Sequence, residues 1–284
     1  MNRQELVDYL RANQIWAKRT MGQNFLVDEQ ALAQIVAAAD IQPTDTIVEI
    51  GPGLGVLTSE LSKRAGKVFA IEKDDKFAEV LKTQYTSSNV KIINQDALDF
   101  DPGSYQLKAN SYKLVANIPY NITSLIIRKF LEEENRPEII VLLVQKEVAE
   151  RIIAEPGDMS LLAVSVQFYA EAEIVAIVSK ESFFPIPKVD SAIIKLKVKS
   201  QKPKVQRREF FRLVKFGFAA KRKTLENNLS AGMHIKKDVA RDIIKKAGFE
   251  AKVRAEDLSV EDWIRLFEII KEDDSGEKRE NQNL

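Results

Sequence analysis

Residues 46–55 read Thr-Ile-Val-Glu-Ile-Gly-Pro-Gly-Leu-Gly. An apolar β-forming run that opens into three alternate glycines, with a helical pattern resuming behind them, leaves few folds available. Glycine is required where the main chain turns sharply or comes close to a ligand with no Cβ between them. The same strand-then-helix cadence recurs along the chain. Strands are expected at Thr46–Ile50, Lys67–Glu72, Val90–Asn94, Lys113–Asn117, Ile139–Gln145, residues 173–179 and Ser191–Val198. Between them lie amphipathic runs: one capped by Asp28 with Leu32, Ile35, Val36 and Ala39 on one face, one with Leu57, Leu61 and Ala65 that Gly66 ends, and one capped by Asp74 with Phe77, Val80 and Leu81. Further helices are expected near 123–134, 146–154 and 159–170. Nearly continuous apolar strands alternating with helices predict an α/β fold, a mostly parallel sheet covered on both faces.

After Lys199 the period becomes purely helical. Helices are expected over 206–229, with Phe211, Val214 and Phe218, and over 235–247, with Ile235, Val239 and Ile243 before Gly248. A last helix starts from Ser259, with Asp262 three residues on and Leu258 and Trp263 at hydrophobic-staple spacing. The pattern predicts a first domain over 1–199, a small helical domain over 200–272 and a disordered tail over 273–284.

Composition excludes whole classes of chemistry. With no cysteine and one histidine, His234, the chain has no thiol nucleophile, disulfide framework, Cys/His zinc site or metal centre of that type. The longest apolar run, residues 139–144, is far short of a membrane span, and the N-terminal segment mixes charge with apolar residues. A soluble, cytoplasmic chain that does not enter membranes is expected. The net charge of +1 hides segregation: residues 1–187 carry −7, residues 188–254 carry +14 and residues 255–284 carry −6. The basic block holds Lys202, Lys204, Arg207, Arg208, Arg212, Lys215, Lys221, Arg222 and Lys223. Such a density points to a polyanionic partner and marks these residues as candidate positions for binding it, with Arg11, Lys18, Arg19 and Trp16 as an extension.

The glycine loop, with Gly51 and Gly53, is a cofactor site by this reading. Glu72 stands 21 residues beyond Gly51 at the end of the next strand, where a carboxylate accepts both ribose hydroxyls of an adenosine. A nicotinamide cofactor fits less well: Val56 occupies the third-glycine position, Pro52 removes a main-chain N–H, and Glu49 would repel a diphosphate. Glu49 suits instead the cationic methionine part of S-adenosylmethionine, and Asp96 can hold the adenine amine. The series Glu49, Gly51, Glu72, Asp96 favours S-adenosyl-L-methionine.

The fourth strand ends in Asn117-Ile118-Pro119-Tyr120. An exocyclic base amine is a poor nucleophile because its lone pair is delocalised into the ring. Acceptors must hold its two protons while the lone pair turns toward the methyl group. The Asn117 side-chain oxygen and the carbonyl of Ile118 or Pro119 can accept them, and Tyr120 offers a stacking face. Phe183, followed by Pro185 and Pro187 in a stiffened loop, is expected to stack on the other face of the base.

Five segments together resemble the ribosomal RNA adenine N6,N6-dimethyltransferase family over about residues 15–270. They are Gly22-Gln23-Asn24-Phe25-Leu26, the loop Glu49–Gly55, Asn117–Tyr120, Phe183–Ala192 and Lys221–Leu229. The last segment is closest to the bacterial branch acting on 16S rRNA. The resemblance implies a Rossmann-like S-adenosylmethionine-dependent methyltransferase fold, a seven-stranded sheet with one antiparallel strand. It also implies that Asn24, Leu26, Gly51, Glu72, Asp96 and Asn117 contact the cofactor while Asn117, Tyr120 and Phe183 surround the adenine. The implied reaction is dimethylation of two adjacent adenines in the 3′-terminal hairpin loop of 16S rRNA, by a monomer whose partner is the small ribosomal subunit or its precursor, with a role in its assembly. Glu226 stands where relatives commonly carry a basic residue. Other readings of the same residues are a 23S rRNA methyltransferase of the erythromycin-resistance type, a DNA adenine methyltransferase and a non-catalytic assembly factor.

Overall fold

The computed structural model describes residues 3–12, 23–86, 88–200 and 204–280. They form two compact units, Met1–Glu150 with Tyr169–Ser200, and Arg151–Phe168 with Gln201–Leu284. Trp16, Lys18, Arg19, Gly22 and Lys202 lie outside the described residues.

The first unit is built on strands β1 (Phe25–Leu26), β2 (Thr46–Ile50), β3 (Lys67–Glu72), β4 (Val90–Asn94), β5 (Lys113–Asn117), β6 (Ile139–Gln145), β7 (Ala170–Val178), β8 (Phe183–Phe184) and β9 (Ser191–Val198). Seven of them form one sheet in the order β4-β3-β2-β5-β6-β9-β7. The pairs from β4 to β6 are parallel, and β9 runs antiparallel to both its neighbours. The expected single antiparallel strand is therefore β9. Central strands β2, β3, β5 and β6 are buried at consecutive positions, as strands covered on both faces must be. Edge strand β7 alternates instead, with Glu171, Glu173, Val175 and Ile177 facing outward. It starts three residues earlier than the alternation suggested, because Ala170, Glu171 and Ala172 pair with Val198, Lys197 and Leu196.

Helix α1 (Arg3–Ala12) packs Leu6 and Leu10 with Phe25, Leu54 and Phe77. Helices α2 (Glu29–Ala38), α3 (Val56–Ser62), α4 (Asp75–Gln84) and α5 (Thr123–Glu132) follow their strands as expected. Asp28 caps α2 by accepting the Gln30 and Ala31 N–H groups at 2.9 and 3.1 Å, and Asp74 caps α4 by accepting that of Lys76 at 3.0 Å. Below the sheet, buried Lys113 donates to the Asp40 carbonyl at 2.5 Å and pairs with Asp45 at 2.8 Å. The small ribbon of β1 and β8 has no counterpart in the sequence reading. It joins residues far apart in the chain, Phe25 with Phe184 and Leu26 with Phe183.

Helix α6 (Lys146–Ile152) leads into the second unit, which holds α7 (Leu161–Gln167), α8 (Arg207–Gly217), α9 (Leu225–Met233), α10 (Lys237–Lys246) and α11 (Val260–Glu280). This division differs from the expected boundary at residue 199, since Arg151–Phe168 joins the later helices. Phe168 stacks on Phe210 with ring centres 4.8 Å apart, and the Gly157 and Met159 N–H groups donate to the Glu256 carbonyl at 2.8 and 3.1 Å. The expected helix over 206–229 is two helices. Asn228 donates to the carbonyls of Gly217 and Ala220 at 2.6 and 3.1 Å, which ends the first, and Leu225 N–H turns away to the Val253 carbonyl at 2.8 Å. Ser259 and Asp262 form the expected reciprocal cap at 3.0 and 3.1 Å. Helix α11 continues to Glu280, into the stretch where a disordered tail was expected from residue 273. No described helix is long and apolar enough to cross a membrane.

The second unit depends on a close approach at Gly217, where a Cβ would lie 2.2 Å from Cη2 of fully buried Trp263. Alanine is the better helix former, but the overlap falls on a rigid ring. Gly217→Ala should lower stability by about 1–3 kcal/mol, measured by denaturant unfolding; an unchanged or raised midpoint contradicts this packing.

Candidate functional site

In a parallel sheet the loops that leave the carboxyl ends of adjacent strands share one edge. Register places Ile50 beside Ile71 and beside Ala116, so the glycine loop, Glu72 and Asn117 emerge together. They line a cavity of about 340 Å³, together with Asn24, Leu26, Glu49, Asp96 and Tyr120. The structure thus gathers Asn24, Leu26, Gly51, Gly53, Glu72, Asp96, Asn117 and Tyr120 at one place.

Gly51 and Gly53 both adopt the left-handed region, at φ +67° and +55°. That conformation turns the loop back over the strand end: Gly51 N–H donates to the Ile71 carbonyl at 2.9 Å, and Gly53 N–H donates to Glu72 Oε2 at 3.0 Å. The other carboxylate oxygen, Oε1, accepts the Asp74 N–H at 2.8 Å. The Lys73 N–H also bears on this carboxylate, which still has acceptor capacity for a ligand hydroxyl. Burial raises the Glu72 pKa, and the main-chain donors oppose that rise.

Glu49 is 1% exposed, and its Oε2 meets no hydrogen-bond donor among the described residues. Burial pushes its pKa up to about 8, opposed by the Thr58 hydroxyl and N–H and reinforced by the Glu72 carboxylate. Asp96 behaves oppositely. Its Oδ2 pairs with Lys73 at 2.6 Å and its Oδ1 accepts the Leu98 N–H at 2.9 Å, both of which hold its carboxyl below the usual range. Lys73 went unremarked in the sequence, although its place directly after Glu72 was the available signal.

Asn117 Nδ2 donates to the Asn24 carbonyl at 3.2 Å. A carbonyl can only accept, so this bond assigns the amide: nitrogen toward Asn24, oxygen left as an acceptor. Tyr120 is half-buried and its hydroxyl lies 2.7 Å from Ser191 Oγ.

Phe183 does not join this group. Adjacent residues in an extended pair face opposite sides, and pairing with Leu26 turns Phe183 inward. It is 0% exposed, within the core cluster that includes Leu26, Ile35, Val178 and Ile193, and is not among the residues lining the cavity. In this structure the Phe183 ring, the expected second stacking face, is enclosed by the core and lies outside the residues lining the cavity.

The cavity fits an adenosine-bearing cation. Its glycines let main chain approach a ligand, two acidic side chains retain acceptor capacity, and the orphaned oxygen of Glu49 is a buried polar atom awaiting a partner. No cluster of metal-ligating side chains occurs among the described residues.

In the second unit Lys204, Arg207, Arg208, Arg212, Lys215, Lys221, Arg222 and Lys223 are all exposed. Arg208, Arg212 and Lys215 fall at i, i+4 and i+7 along α8, one face of the helix. Glu226, the acidic departure, accepts two hydrogen bonds from Arg241 at 3.0 and 3.1 Å, so its charge is matched within the protein.

Comparison with known proteins agrees with this geometry. The model of the family described as ribosomal RNA adenine dimethylase matches residues 15–272. The chain belongs to the ribosomal RNA adenine dimethylase family. A relative in Dehalococcoides mccartyi, named ribosomal RNA small subunit methyltransferase A, is 44% identical over 259 residues, covering 90% of this chain and 89% of its own. A protein of the same name in Clostridioides difficile is 42% identical over 260 residues, covering 89% and 90%. Among solved structures, a dimethyladenosine transferase from Plasmodium falciparum superposes with a TM-score of 0.75 at 28% identity, over 87% of this chain and 98% of that one. The 23S rRNA methyltransferase ErmE gives 0.70 at 28% identity, over 87% and 99%. The fold of this family member is the Rossmann-like methyltransferase fold, with an additional C-terminal helical region.

Burial of Glu49 has a measurable consequence. Unfolded, the carboxyl ionises near its ordinary 4.5; folded, it keeps its proton to about 8. The folded chain binds more protons between those values, so its stability falls as pH rises through that window and levels off above it. Glu49→Gln should flatten this slope in unfolding midpoints taken at pH 5 and pH 8 without ligand. An unaltered slope contradicts the burial assigned here.

Proposed function

We propose that this family member dimethylates the N6 amines of two adjacent adenines in the 3′-terminal hairpin loop of 16S rRNA, using S-adenosyl-L-methionine, and so acts in small-subunit biogenesis. The observation that carries this reading is the Asn117 amide, fixed by Asn24 with its oxygen left to accept beside the acid-lined cavity. The small subunit is favoured by relatives of that name at 42–44% identity across nine-tenths of the chain. On this reading the protein works as a cytoplasmic monomer whose partner is the small subunit or its precursor.

Glu72 would hold the ribose hydroxyls with its remaining acceptor capacity, and Asp96 would accept the adenine amine. Bound at this site, the cofactor supplies an electrophilic methyl group on a cationic sulfur. Glu49 would supply the counter-charge to that cation, and a cation next to a buried acid favours its ionised form. Asn117 Oδ1 accepts one N–H of the target amine. The Pro119 carbonyl already closes the next turn by accepting Ile122 N–H at 3.2 Å, and the Ile118 carbonyl is taken as the second acceptor. With both protons held, the nitrogen lone pair is turned out of conjugation and toward the methyl carbon. Tyr120 supports the base by stacking. No side chain acts as a covalent nucleophile, so a chain without cysteine in which the single histidine lies outside the cavity is adequate. The exposed basic residues Lys204, Arg207, Arg208, Lys221, Arg222 and Lys223 neutralise RNA phosphates, with Lys202 assigned the same role from sequence.

A second reading, methylation of 23S rRNA, is favoured by the likeness to ErmE. Incubation with labelled cofactor and either unmethylated small subunits or large-subunit RNA separates the two. Dimethyladenosine in the small subunit supports the proposal; label only in large-subunit RNA overturns it. Asn117→Ala should keep its folding transition and lose about 10²-fold or more in transfer, the usual scale for deleting a preorganised hydrogen-bonding group. Near-normal transfer would remove Asn117 from its assigned role. Arg222→Glu with Lys223→Glu should weaken rRNA binding and reduce its salt dependence while leaving cofactor affinity unchanged; RNA affinity equal to wild type at physiological salt contradicts the basic surface.

A further inference from the structure

The segment Phe183–Ala192 was expected to serve the acceptor site through an aromatic ring, yet Phe183 is enclosed by the core. What the segment delivers instead is a hydroxyl to Tyr120, which lines the cavity. Ser191, fully buried at the first position of β9, meets the Tyr120 hydroxyl at 2.7 Å. Ser191 is itself held firmly: it pairs with Gln145 of β6 and Val178 of β7. Its neighbour Asp190 accepts the Lys146 N–H through its carbonyl and the Lys180 N–H through Oδ1, both at 3.0 Å. Tyr120 opens the short turn after Pro119 and lines the cavity. A half-buried phenol with a fixed partner has one favoured ring orientation, whereas one without it can swing about its side-chain torsions.

We infer that Ser191 is a positioning residue that sets the stacking face of Tyr120, and that the second methyl transfer depends on it more than the first. The inference rests on the dimethylation reading above. In each transfer the N6 lone pair takes the methyl carbon, the electron pair of the broken sulfur–carbon bond stays on sulfur, and one N–H proton leaves to water. The unmodified amine enters with two N–H groups for its two acceptors, Asn117 Oδ1 and the Ile118 carbonyl. The monomethylated amine enters with one. Half of the hydrogen bonding that oriented the nitrogen is gone, and an added methyl must be accommodated beside it. Orientation of the base then falls on the ring it stacks against, and the orientation of that ring falls on Ser191.

The test uses the full chain as wild type, Ser191→Ala, Tyr120→Phe, the double variant and Ser191→Thr. Each is given S-adenosylmethionine and unmethylated small subunits, with nucleoside analysis of monomethyl- and dimethyladenosine and calorimetry of cofactor binding. Both single variants should hold cofactor affinity within about twofold, while the ratio of dimethyl to monomethyl product falls about tenfold, the scale of one lost hydrogen bond. The double variant should fall no further, because either change breaks the same bond. Ser191→Thr, which keeps the hydroxyl, should restore the ratio. Without any turnover, 2-aminopurine at the target position of a hairpin RNA should be quenched less by Ser191→Ala than by wild type. A wild-type product ratio in Ser191→Ala, unchanged quenching, or multiplied losses in the double variant would each overturn the inference. If Ser191→Ala disturbs β9 enough to abolish cofactor binding, Tyr120→Phe, which removes only the hydroxyl, decides alone. A wild-type chain that leaves small subunits unmethylated defeats the functional reading instead, and is distinguishable from all of these.

Discussion

The hydrogen bond from the Asn117 side chain to the Asn24 carbonyl connects everything that makes this molecule more than a nucleotide-binding sheet. It joins the end of β5 to the segment that enters β1, and it decides which way an otherwise ambiguous amide points. With nitrogen committed to the protein, the oxygen is held as an acceptor before any ligand arrives, so no reorganisation is required when the base is presented. The β1–β8 ribbon extends the same constraint, because the strand that follows Asn24 is paired with the segment leading to β9. Donor-side and acceptor-side loops are thereby fastened to one another through main chain.

Electrostatics at the donor end work by contrast. Three acids line one cavity, yet their surroundings treat them differently. Asp96 is ion-paired with Lys73, which favours its ionised form; Glu72 is buried but supported by main-chain donors; Glu49 is buried without a hydrogen bond on Oε2, and its burial favours the protonated form. Two ionised carboxylates side by side in a dry site would be costly, and protonation of Glu49 relieves that cost. A cationic ligand reverses the preference, since its charge is the counter-ion the site lacks.

Much of this was legible in the sequence, and the reasons differ by element. Strands β2, β3, β5 and β6 could be bounded because buried parallel strands are written as apolar runs between polar punctuation, and edge strand β4 and antiparallel β9 carry enough of the same β-rich pattern to be bounded too. Their carboxyl ends, and hence Gly51, Glu72, Asp96 and Asn117, followed directly. What escaped depends on contacts distant in the chain. A two-residue ribbon between Phe25 and Phe184 carries no local signal, and without it nothing indicates that Phe183 turns inward. The break between α8 and α9 falls after Gly217, a glycine the helical period runs straight through; Asn228 and the Val253 carbonyl impose it from elsewhere. The excursion of Arg151–Phe168 into the second unit follows from an aromatic contact with Phe210 that periodicity cannot reveal.

The most direct measurement of the central claim is a crystal structure of the chain with S-adenosylhomocysteine and adenosine. The expected result is Asn117 Nδ2 still on the Asn24 carbonyl and Asn117 Oδ1 about 3 Å from the adenosine N6 nitrogen. An Asn117 side chain turned away from both ligands, with the amine held by other groups, would contradict it.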